Sequence, residues 1–140
     1  MTDINDKKEG GGFSVWPTKG RFVPSFATIL FRTSGQNLIF RVEVLPINCN
    51  GAEIAHGGFI STLADVWLGY NVAHQLPESA SFVTANLCVD FLTPVRSGTW
   101  LESAIDRIKI GTRLCHASGA IIADGKPIAA MHGTFALLAI

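Results

Sequence analysis

The segment His56-Gly57-Gly58, with Asp65 two helical turns further along, contains residue types that can attack a carbonyl group. The glycines stand where a long helical stretch begins, and the first turn of a helix carries unpaired N–H groups and the positive end of the helix dipole. Because glycine has no side chain, a ligand can approach those N–H groups closely. An acyl oxygen that becomes negative during attack would be stabilised there, so the spacing predicts an enzyme that acts on a carbonyl group.

The elements that must hold these residues follow from the spacing of apolar side chains. From Gly58 to about Gln75 the chain has helical length and is apolar almost all round, so this helix must be buried on several sides. Residues 26–32 and 38–44 predict a hairpin before the helix, and residues 13–24 predict a short helix or wrapped loop. Strands are expected after the helix at residues 81–92, 98–110, 112–123 and 127–139, with Gly111 and Asp124-Gly125 in the turns. One antiparallel sheet wrapping one long helix, an α+β architecture, is the economical arrangement.

Length and composition indicate one domain that associates with copies of itself. The 140 residues suffice for one domain at residues 13–140, preceded by a flexible polar tail at residues 1–12. The formal net charge is zero and the 11 basic residues are scattered, so no nucleic acid or membrane partner is expected. Hydrophobic residues make up 48% and charged residues 16%, an apolar composition that burial in an oligomer would explain.

The cysteines and the N-terminus indicate a reducing compartment. The three cysteines are an odd number without metal-type spacing and are expected to be free thiols: Cys49, Cys88 and Cys115. The histidines fall in different predicted elements, so no metal site is expected. The N-terminus lacks the apolar segment of a signal peptide, and a cytoplasmic location is therefore expected.

Three groups of residues together resemble one protein family. They are Asn50 with His56-Gly57-Gly58 and Asp65, the run Val83-Thr84-Ala85-Asn86-Leu87-Cys88-Val89-Asp90-Phe91-Leu92-Thr93-Pro94, and Gly133-Thr134-Phe135. With the predicted order of elements, they resemble the hotdog-fold acyl-CoA thioesterases of the phenylacetic-acid-degradation type over about residues 26–139. The resemblance implies an antiparallel sheet wrapped around one long central helix. One position departs from the family pattern. The family usually has a glycine three residues before the histidine, whereas this chain has Glu53.

The resemblance implies roles for five residues, and each has a structural alternative. Asp65 would be a general base that activates water or a nucleophile that attacks the thioester, or else a carboxylate that caps a loop. Gly57 would supply the oxyanion N–H, or permit close packing of helix and sheet. Asn50 would position the carbonyl or the water, or stabilise a turn. His56 would act directly or orient its loop, and Thr84 would face the aspartate or simply favour its strand.

A second set of residues is expected to contact the substrate. Gly58, Phe59 and Phe82 are candidates for the acyl-binding surface. Arg96 and Arg113 stand near strand ends, where they could meet the phosphates of coenzyme A, although solvated charges are the ordinary alternative. No metal or other cofactor is implied.

Geometry requires two copies if Gly57 and Asp65 serve one substrate. Eight residues of helix separate their backbones by roughly 12 Å, which an aspartate side chain cannot span. Attacking group and oxyanion donor must both lie within about 3 Å, or one water, of the reacting carbon. A two-fold dimer would bring the helix start of one subunit to the helix middle of the other. The resemblance likewise implies dimers joined through their sheets, often paired again into tetramers.

The sequence therefore predicts an acyl-CoA thioesterase that releases a free acid and coenzyme A. Two alternatives stay open. A hotdog dehydratase would act on hydroxyacyl thioesters, but the histidine-phenylalanine-proline-glycine stretch of those enzymes is missing from this chain. A non-catalytic acyl-CoA-binding module would bind the thioester without turnover.

Overall fold

A computed structural model describes residues Gly12–Leu138 of the chain. Within this range there are one α-helix and seven strands, with short 3₁₀ turns at Val23–Ser25 and Pro46–Asn48. The helix and strands are β1 (Ser14–Val15), β2 (Leu30–Ser34), β3 (Asn37–Glu43), α1 (Gly57–His74), β4 (Phe82–Phe91), β5 (Trp100–Ile110), β6 (Leu114–Ala123) and β7 (Lys126–Leu137). The predicted tail up to residue 11 and the predicted end of the last strand at residue 139 lie outside the described residues.

The seven strands form one antiparallel sheet in the order β1-β2-β3-β5-β6-β7-β4, and α1 packs against it. The predicted α+β fold, with an antiparallel sheet wrapped around one long helix, is confirmed. The strand after the helix, β4, pairs only with β7 among the described residues and is therefore an edge of the sheet.

The helix is buried because it carries large apolar side chains on most of its circumference. Leu63, Trp67 and Leu68 are fully buried, and the Trp67 ring stacks on Phe40 of β3 with their centroids 6.0 Å apart. Removing such side chains from water drives α1 onto the sheet. In the described part of the chain, no helix has both the length and the apolar character needed to cross a membrane.

The chain before the helix differs from the prediction in two respects. The first strand of the predicted hairpin starts at Leu30 rather than residue 26, because Phe26 closes the 3₁₀ turn with its N–H donating to the Val23 carbonyl. Residues Ser14–Val15 add a short strand, β1, where a helix or loop was expected. The turn at Asp124-Gly125 agrees with the prediction, since both residues adopt the left-handed conformation that a tight hairpin turn requires.

An irregularity in β4 determines which of its side chains face the helix. The pairing with β7 shifts between Thr84 and Asn86, so Ala85 is an extra residue in a β-bulge. Before the bulge Phe82 and Thr84 point towards α1, and after it Leu87, Val89 and Phe91 do so. Side chains of a regular strand alternate with a period of two, so the bulge changes the inward-facing residues from even to odd numbers.

Candidate active site

The side chain of His56 caps the start of α1. His56 has extended backbone angles, and its Nδ1 accepts a hydrogen bond from the Gly58 N–H at 2.9 Å. A neutral ring that accepts at Nδ1 carries its proton on Nε2. The carbonyl of His56 accepts from the N–H groups of Phe59 and Ile60 at 2.9 and 3.1 Å. His56 therefore accepts hydrogen bonds from three of the first four N–H groups of α1. These bonds correspond to the loop-orienting role, one of the two roles that the sequence left open for His56.

The Gly57 N–H is the remaining amide of that first turn. It donates to no group in the described part of the chain, whereas its three successors are all paired. The ring of Phe91 lies over this residue, since a Cβ built on Gly57 would be 3.4 Å from the Phe91 Cζ. An unpaired N–H at the positive end of a helix can stabilise an oxyanion.

Asp65 is half-buried on α1 and is held by the neighbouring strand. The hydroxyl of Thr84 on β4 donates to the Asp65 Oδ1 at 2.7 Å. The structure thus brings together the two residues that the sequence interpretation paired. A charge-assisted hydrogen bond of this length fixes the carboxylate against the strand. The second carboxylate oxygen makes no hydrogen bond to the described residues and is available to a ligand.

Asn50 stabilises its own loop. Its side-chain oxygen accepts from the N–H groups of Ala52 and Ile54 at 2.9 and 3.2 Å, the turn-forming alternative among its two interpretations. Its carboxamide N–H₂ makes no hydrogen bond within the described residues, and the side chain is exposed. Glu53 adopts φ = +61°, the left-handed conformation that glycine tolerates best. The loop therefore keeps the glycine-like geometry although glutamate replaces the family's glycine.

Asn48 is a site-positioning residue that was not among the residues predicted from the sequence. Its side chain is 3% exposed, with Oδ1 accepting from the Leu45 N–H and Nδ2 donating to the Phe26 carbonyl. Its own carbonyl accepts from the His56 N–H at 2.8 Å. A buried asparagine thus ties the lead-in segment to the helix start. Its burial depends on contacts distant in sequence, so no local signal reveals it.

Two cavities meet at the start of α1. The larger, of about 480 Å³, is lined by His56, Gly58 and Phe59 together with Phe26 and other apolar side chains. The smaller, of about 290 Å³, is lined by residues that include Gly57 and Phe91. The larger volume is in the range of small-molecule pockets. Gly58 and Phe59, which the sequence predicts to contact substrate, therefore line the larger cavity. Phe91, which lines the smaller one, was not predicted as a site residue.

Of the other predicted substrate-binding residues, Phe82 and Arg113 lie apart from this corner and Arg96 lies close to it. Phe82 packs edge-on against Phe135 inside the sheet, with ring centroids 5.4 Å apart. Arg96 is exposed beside Ile54, near the start of α1. Arg113 is exposed at the opposite end of the sheet, where its carbonyl accepts from the Leu137 N–H. The length of β4 separates these ends by roughly 30 Å, so one protomer does not bring the two arginines together.

Gly57 and Asp65 also lie on different parts of one protomer. Each is associated with a different end of β4, Gly57 with Phe91 and Asp65 with Thr84. Thr84 and Phe91 are roughly 20 Å apart along β4, with Ala85 as the extra residue of the bulge, and the backbones of Gly57 and Asp65 are roughly 12 Å apart along α1. Among Gly12–Leu138, no three His, Cys, Asp or Glu side chains come together as a metal site.

Several known proteins are similar to this chain in sequence or in fold. Residues 52–129 match the family described as the thioesterase superfamily. The Pseudomonas aeruginosa protein PA0474, whose name places it provisionally among the esterases, is 35% identical over 102 residues, covering 73% of this chain and 76% of that protein. The Bacillus halodurans protein BH2602, solved with CoA, is 30% identical with a TM-score of 0.66, covering 71% of this chain and 66% of its own. The PaaI protein of the Escherichia coli phenylacetic acid degradation operon is 21% identical with a TM-score of 0.70, covering 79% and 80%.

This chain belongs to the thioesterase superfamily. Its fold is the hotdog fold, shared with the phenylacetic-acid-degradation protein of E. coli, and the predicted fold family is therefore confirmed. The family and its esterase-named member support a hydrolase that acts on a thioester. The chain spans 66% of the length of the B. halodurans protein, slightly less than two thirds.

Proposed function

We propose that this chain hydrolyses acyl-CoA thioesters to free acids and coenzyme A, at a site that two copies build together. The unpaired Gly57 N–H would polarise the thioester carbonyl, and the partner subunit's Asp65 would activate water or attack directly. The single observation that carries this proposal is the unpaired amide of Gly57 in a helix turn whose other three amides are satisfied. The bound CoA in the B. halodurans structure supports coenzyme A as the leaving group.

Two chemical routes use the same residues. In the first, Asp65 takes a proton from water, hydroxide adds to the carbonyl carbon, and the oxygen becomes negative beside the Gly57 N–H. The C–S bond then breaks and coenzyme A leaves as the protonated thiol. In the second, Asp65 adds to the carbonyl carbon itself, the C–S bond breaks, and coenzyme A leaves as a thiolate that takes up a proton from solvent. Water then hydrolyses the mixed anhydride at its aspartyl carbon. A single turnover in ¹⁸O water therefore labels the free acid in the first route and the Asp65 carboxylate in the second.

The remaining site residues have supporting roles in this proposal. Thr84 holds Asp65 through its hydroxyl, and Asn50 presents its carboxamide N–H₂ to the substrate or the attacking water. His56 holds the loop and offers its Nε2–H to the larger cavity, which Gly58 and Phe59 also line. Phe82 supports the inner face of β4, while Arg96 and the partner subunit's Arg113 are candidates for binding the CoA phosphates.

A matched pair of charge-removing variants, Arg96→Gln and Arg113→Gln, should raise the KM for acyl-CoA more than the KM for an acyl thioester that lacks the nucleotide.

A proline substitution tests the role of the Gly57 amide. Gly57 is the first residue of α1, where proline is well tolerated, and His56 already has the extended conformation required before proline (ψ 138°). Gly57→Pro therefore removes the unpaired N–H without breaking a hydrogen bond. Loss of one oxyanion donor typically lowers kcat by about 10²–10³-fold. We expect a loss of this size in hydrolysis of phenylacetyl-, benzoyl- and straight-chain acyl-CoA.

The matched control is Gly57→Ala, which adds a Cβ but retains the N–H. The added Cβ would meet the Phe91 ring at ordinary contact distance, so the alanine variant should keep most of its activity. Circular dichroism and the unfolding midpoint establish that both variants fold. Equal activities for the proline and alanine variants would refute the oxyanion role. Near-wild-type hydrolysis by Asp65→Asn would refute the role of the carboxylate.

A further inference from the structure

The larger cavity at the start of α1 is suited to an uncharged ligand. Among the described residues, no Asp, Glu, Lys or Arg lines its volume of about 480 Å³. His56 and Gly58 belong to the lining, so the cavity begins beside Gly57, the proposed oxyanion donor. Burying a charge without a partner is costly, and this lining contains no carboxylate, ammonium or guanidinium group to pair with it.

The smaller cavity, of about 290 Å³, adjoins a basic residue. Gly57, Ile54 and Val95 are among its lining residues. Arg96 follows Val95 and forms a backbone bridge with Ile54, so this exposed arginine adjoins the cavity. In an acyl-CoA, the thioester joins an acyl group to a pantetheine chain that ends in phosphates. The surroundings of the smaller cavity therefore complement the arm that carries the phosphates.

Two phenylalanines from the segment before β2 form one wall of the larger cavity. The rings of Phe22 and Phe26 meet edge-on with centroids 5.1 Å apart, and Phe26 also meets Phe59 of α1 at 6.0 Å. Aromatic rings favour such edge-to-face contacts. The stretch that matches the thioesterase superfamily begins at residue 52, so the family pattern does not specify this wall.

The wall is anchored at Phe26 and open at Phe22. The carbonyl of Phe26 accepts a hydrogen bond from the buried Asn48 side chain at 3.0 Å, and Val23, between the two phenylalanines, is 6% exposed. Phe22 itself is 69% exposed. A ligand that fills the cavity would cover this ring and remove apolar surface from water, which favours the binding of an apolar group.

We infer that the larger cavity is the acyl pocket and that Phe22 and Phe26 determine its specificity by selecting uncharged, apolar acyl groups long enough to reach them. The pantetheine chain then leaves through the smaller cavity towards Arg96. The inference rests on the proposed function, which places the thioester carbonyl at the Gly57 N–H, where the two cavities meet. Anionic acyl groups are excluded, because their carboxylate would be buried without a partner.

A pair of substrates tests the selection against charge. Hexanoyl-CoA and adipyl-CoA both carry six-carbon acyl groups, and only the adipyl group ends in a carboxylate. We expect kcat/KM for adipyl-CoA to be lower by about 10²-fold or more, because the carboxylate loses its water and gains no partner. Values of kcat/KM within a few-fold of each other would overturn the assignment of an uncharged acyl group.

Truncation of the exposed phenylalanine tests the wall. Phe22→Ala should lower kcat/KM for octanoyl-CoA by about tenfold and that for butyryl-CoA by less than about twofold, because only the longer chain buries its methylene groups against this ring. Val15→Ala, which truncates an exposed side chain of β1 that lines neither cavity, should change neither value. Equal losses on both substrates in Phe22→Ala would contradict a role in specificity.

A measurement on Cys49 tests the pocket without turnover. This half-buried residue lines the larger cavity, and its thiolate displaces iodide from iodoacetamide. S-(2-oxodecyl)-CoA is a ketone that keeps the carbonyl but cannot be cleaved, and S-(2-oxopropyl)-CoA is its short-chain control. At saturation, the long ketone should slow the alkylation of Cys49 in the wild-type chain by about tenfold, measured by peptide mass spectrometry, because it excludes the reagent from the cavity.

The short ketone should leave the alkylation rate of Cys49 nearly unchanged. Cys88 is exposed and lines neither cavity, so its rate in the same samples is the internal control and should not respond to either ketone. Equal protection of Cys49 by both ketones, or protection by neither, would overturn the assignment of the acyl pocket.

The alkylation and hydrolysis experiments together distinguish the pocket from the proposed function. Protection of Cys49 by the long ketone, with no hydrolysis of any acyl-CoA, supports the acyl pocket and refutes the proposed hydrolysis. Hydrolysis of octanoyl-CoA with Cys49 unprotected leaves the proposed hydrolysis intact and refutes the pocket.

Discussion

The orientation of Asp65 is set by a neighbouring strand rather than by its own helix. Because the Thr84 hydroxyl donates to Oδ1, one carboxylate oxygen is restrained and the other remains for a ligand. Helix α1 supplies the position along its axis, and β4 supplies the side-chain direction. In the proposed reaction, a general base or nucleophile must be oriented as well as near, so the hydroxyl should contribute to turnover rather than to substrate affinity.

Replacing Thr84 with valine should therefore lower kcat. Valine keeps the shape of threonine but removes the donor, and loss of about 1.4 kcal/mol of transition-state stabilisation corresponds to roughly tenfold in rate. KM should stay nearly unchanged, because the proposed role of the hydroxyl is to orient Asp65 and not to bind substrate. Thr84→Ser retains the hydroxyl and should recover most of the activity. Steady-state kinetics on one acyl-CoA measure both parameters, and a rise in KM at constant kcat would contradict an orienting role.

Glu53 provides a stability prediction at the residue scale. A side chain in the left-handed conformation costs roughly 1–2 kcal/mol, which glycine avoids at the expense of a more flexible unfolded chain. Glu53→Gly should therefore stabilise the protein by about 0.5–1 kcal/mol, measured by urea unfolding at fixed protein concentration. Glu53→Ala removes the carboxylate but keeps the strained backbone. If alanine stabilises as much as glycine, the gain comes from the carboxylate and not from the backbone.

The residue types of the site were visible in sequence because their spacing reports local geometry. A glycine pair that starts an apolar helix, followed by an aspartate two turns later, defines the helix start and the carboxylate. The roles of Asn48 and Phe91 were invisible, since each depends on a contact with a segment far along the chain. The cap formed by His56 Nδ1 is local, yet the sequence alone did not separate an orienting role of His56 from a direct chemical role.

At the scale of the elements, two buried side chains replace missing strand partners along β3. The described pairing of β3 with β5 covers only Arg41 to Glu43, so the earlier backbone groups of β3 lack a strand on that side. Asn71 of α1 accepts from the Leu38 N–H at 2.8 Å and donates to the Leu38 carbonyl at 3.2 Å. Ser103 Oγ accepts from the Phe40 N–H at 2.9 Å. Buried backbone groups need such partners because water cannot reach them.

Asn71→Leu should destabilise the protein more than Ser103→Ala. The leucine leaves both Leu38 backbone groups unpaired and also removes the bond from Asn71 to the Trp67 carbonyl, at a cost of about 2–4 kcal/mol. The alanine leaves one N–H unpaired, at a cost of about 1–2 kcal/mol. Urea unfolding of the two variants at equal protein concentration gives the comparison. Equal losses would show that the paired carboxamide adds nothing beyond a single hydrogen bond.

Periodicity predicted the long elements well and the irregular ones poorly. The helix and the strands β4 to β7 were located to within about two residues because each has a long apolar pattern of its own. The short strand β1 has two residues and no pattern to detect. The bulge at Ala85 was not predicted, although it is the feature that turns both Thr84 and Phe91 towards the helix.

At the scale of the whole molecule, one chain contains every proposed catalytic group but keeps them apart. Gly57 and Asp65 belong to opposite ends of β4, whose outer edge is free in the described residues. An antiparallel partner along that edge would reverse the ends, so that each Gly57 meets the Asp65 of the other subunit. The dimer would then contain two identical sites, each built from both chains.

Mixing two inactive variants tests this sharing of residues. Gly57→Pro lacks the oxyanion donor and Asp65→Asn lacks the carboxylate, so each homodimer should be inactive. In a heterodimer, one site combines both defects, and the other combines an intact Gly57 with an intact Asp65. After equal mixing and subunit exchange, half of the dimers are heterodimers with one working site, so activity should recover to about a quarter of wild type.

The control mixes wild-type chain with the double variant G57P/D65N. Every heterodimer then has one defective residue in each site, and activity should fall to about a quarter of that of the same total amount of wild-type chain. If each chain held a complete site, the control would retain half of the activity and the mixture of single variants would stay inactive. The two mixtures together therefore distinguish a shared site from a self-contained one. A shared site gives both mixtures the same activity. A self-contained site leaves the mixture of single variants inactive and the control mixture with half of the wild-type activity.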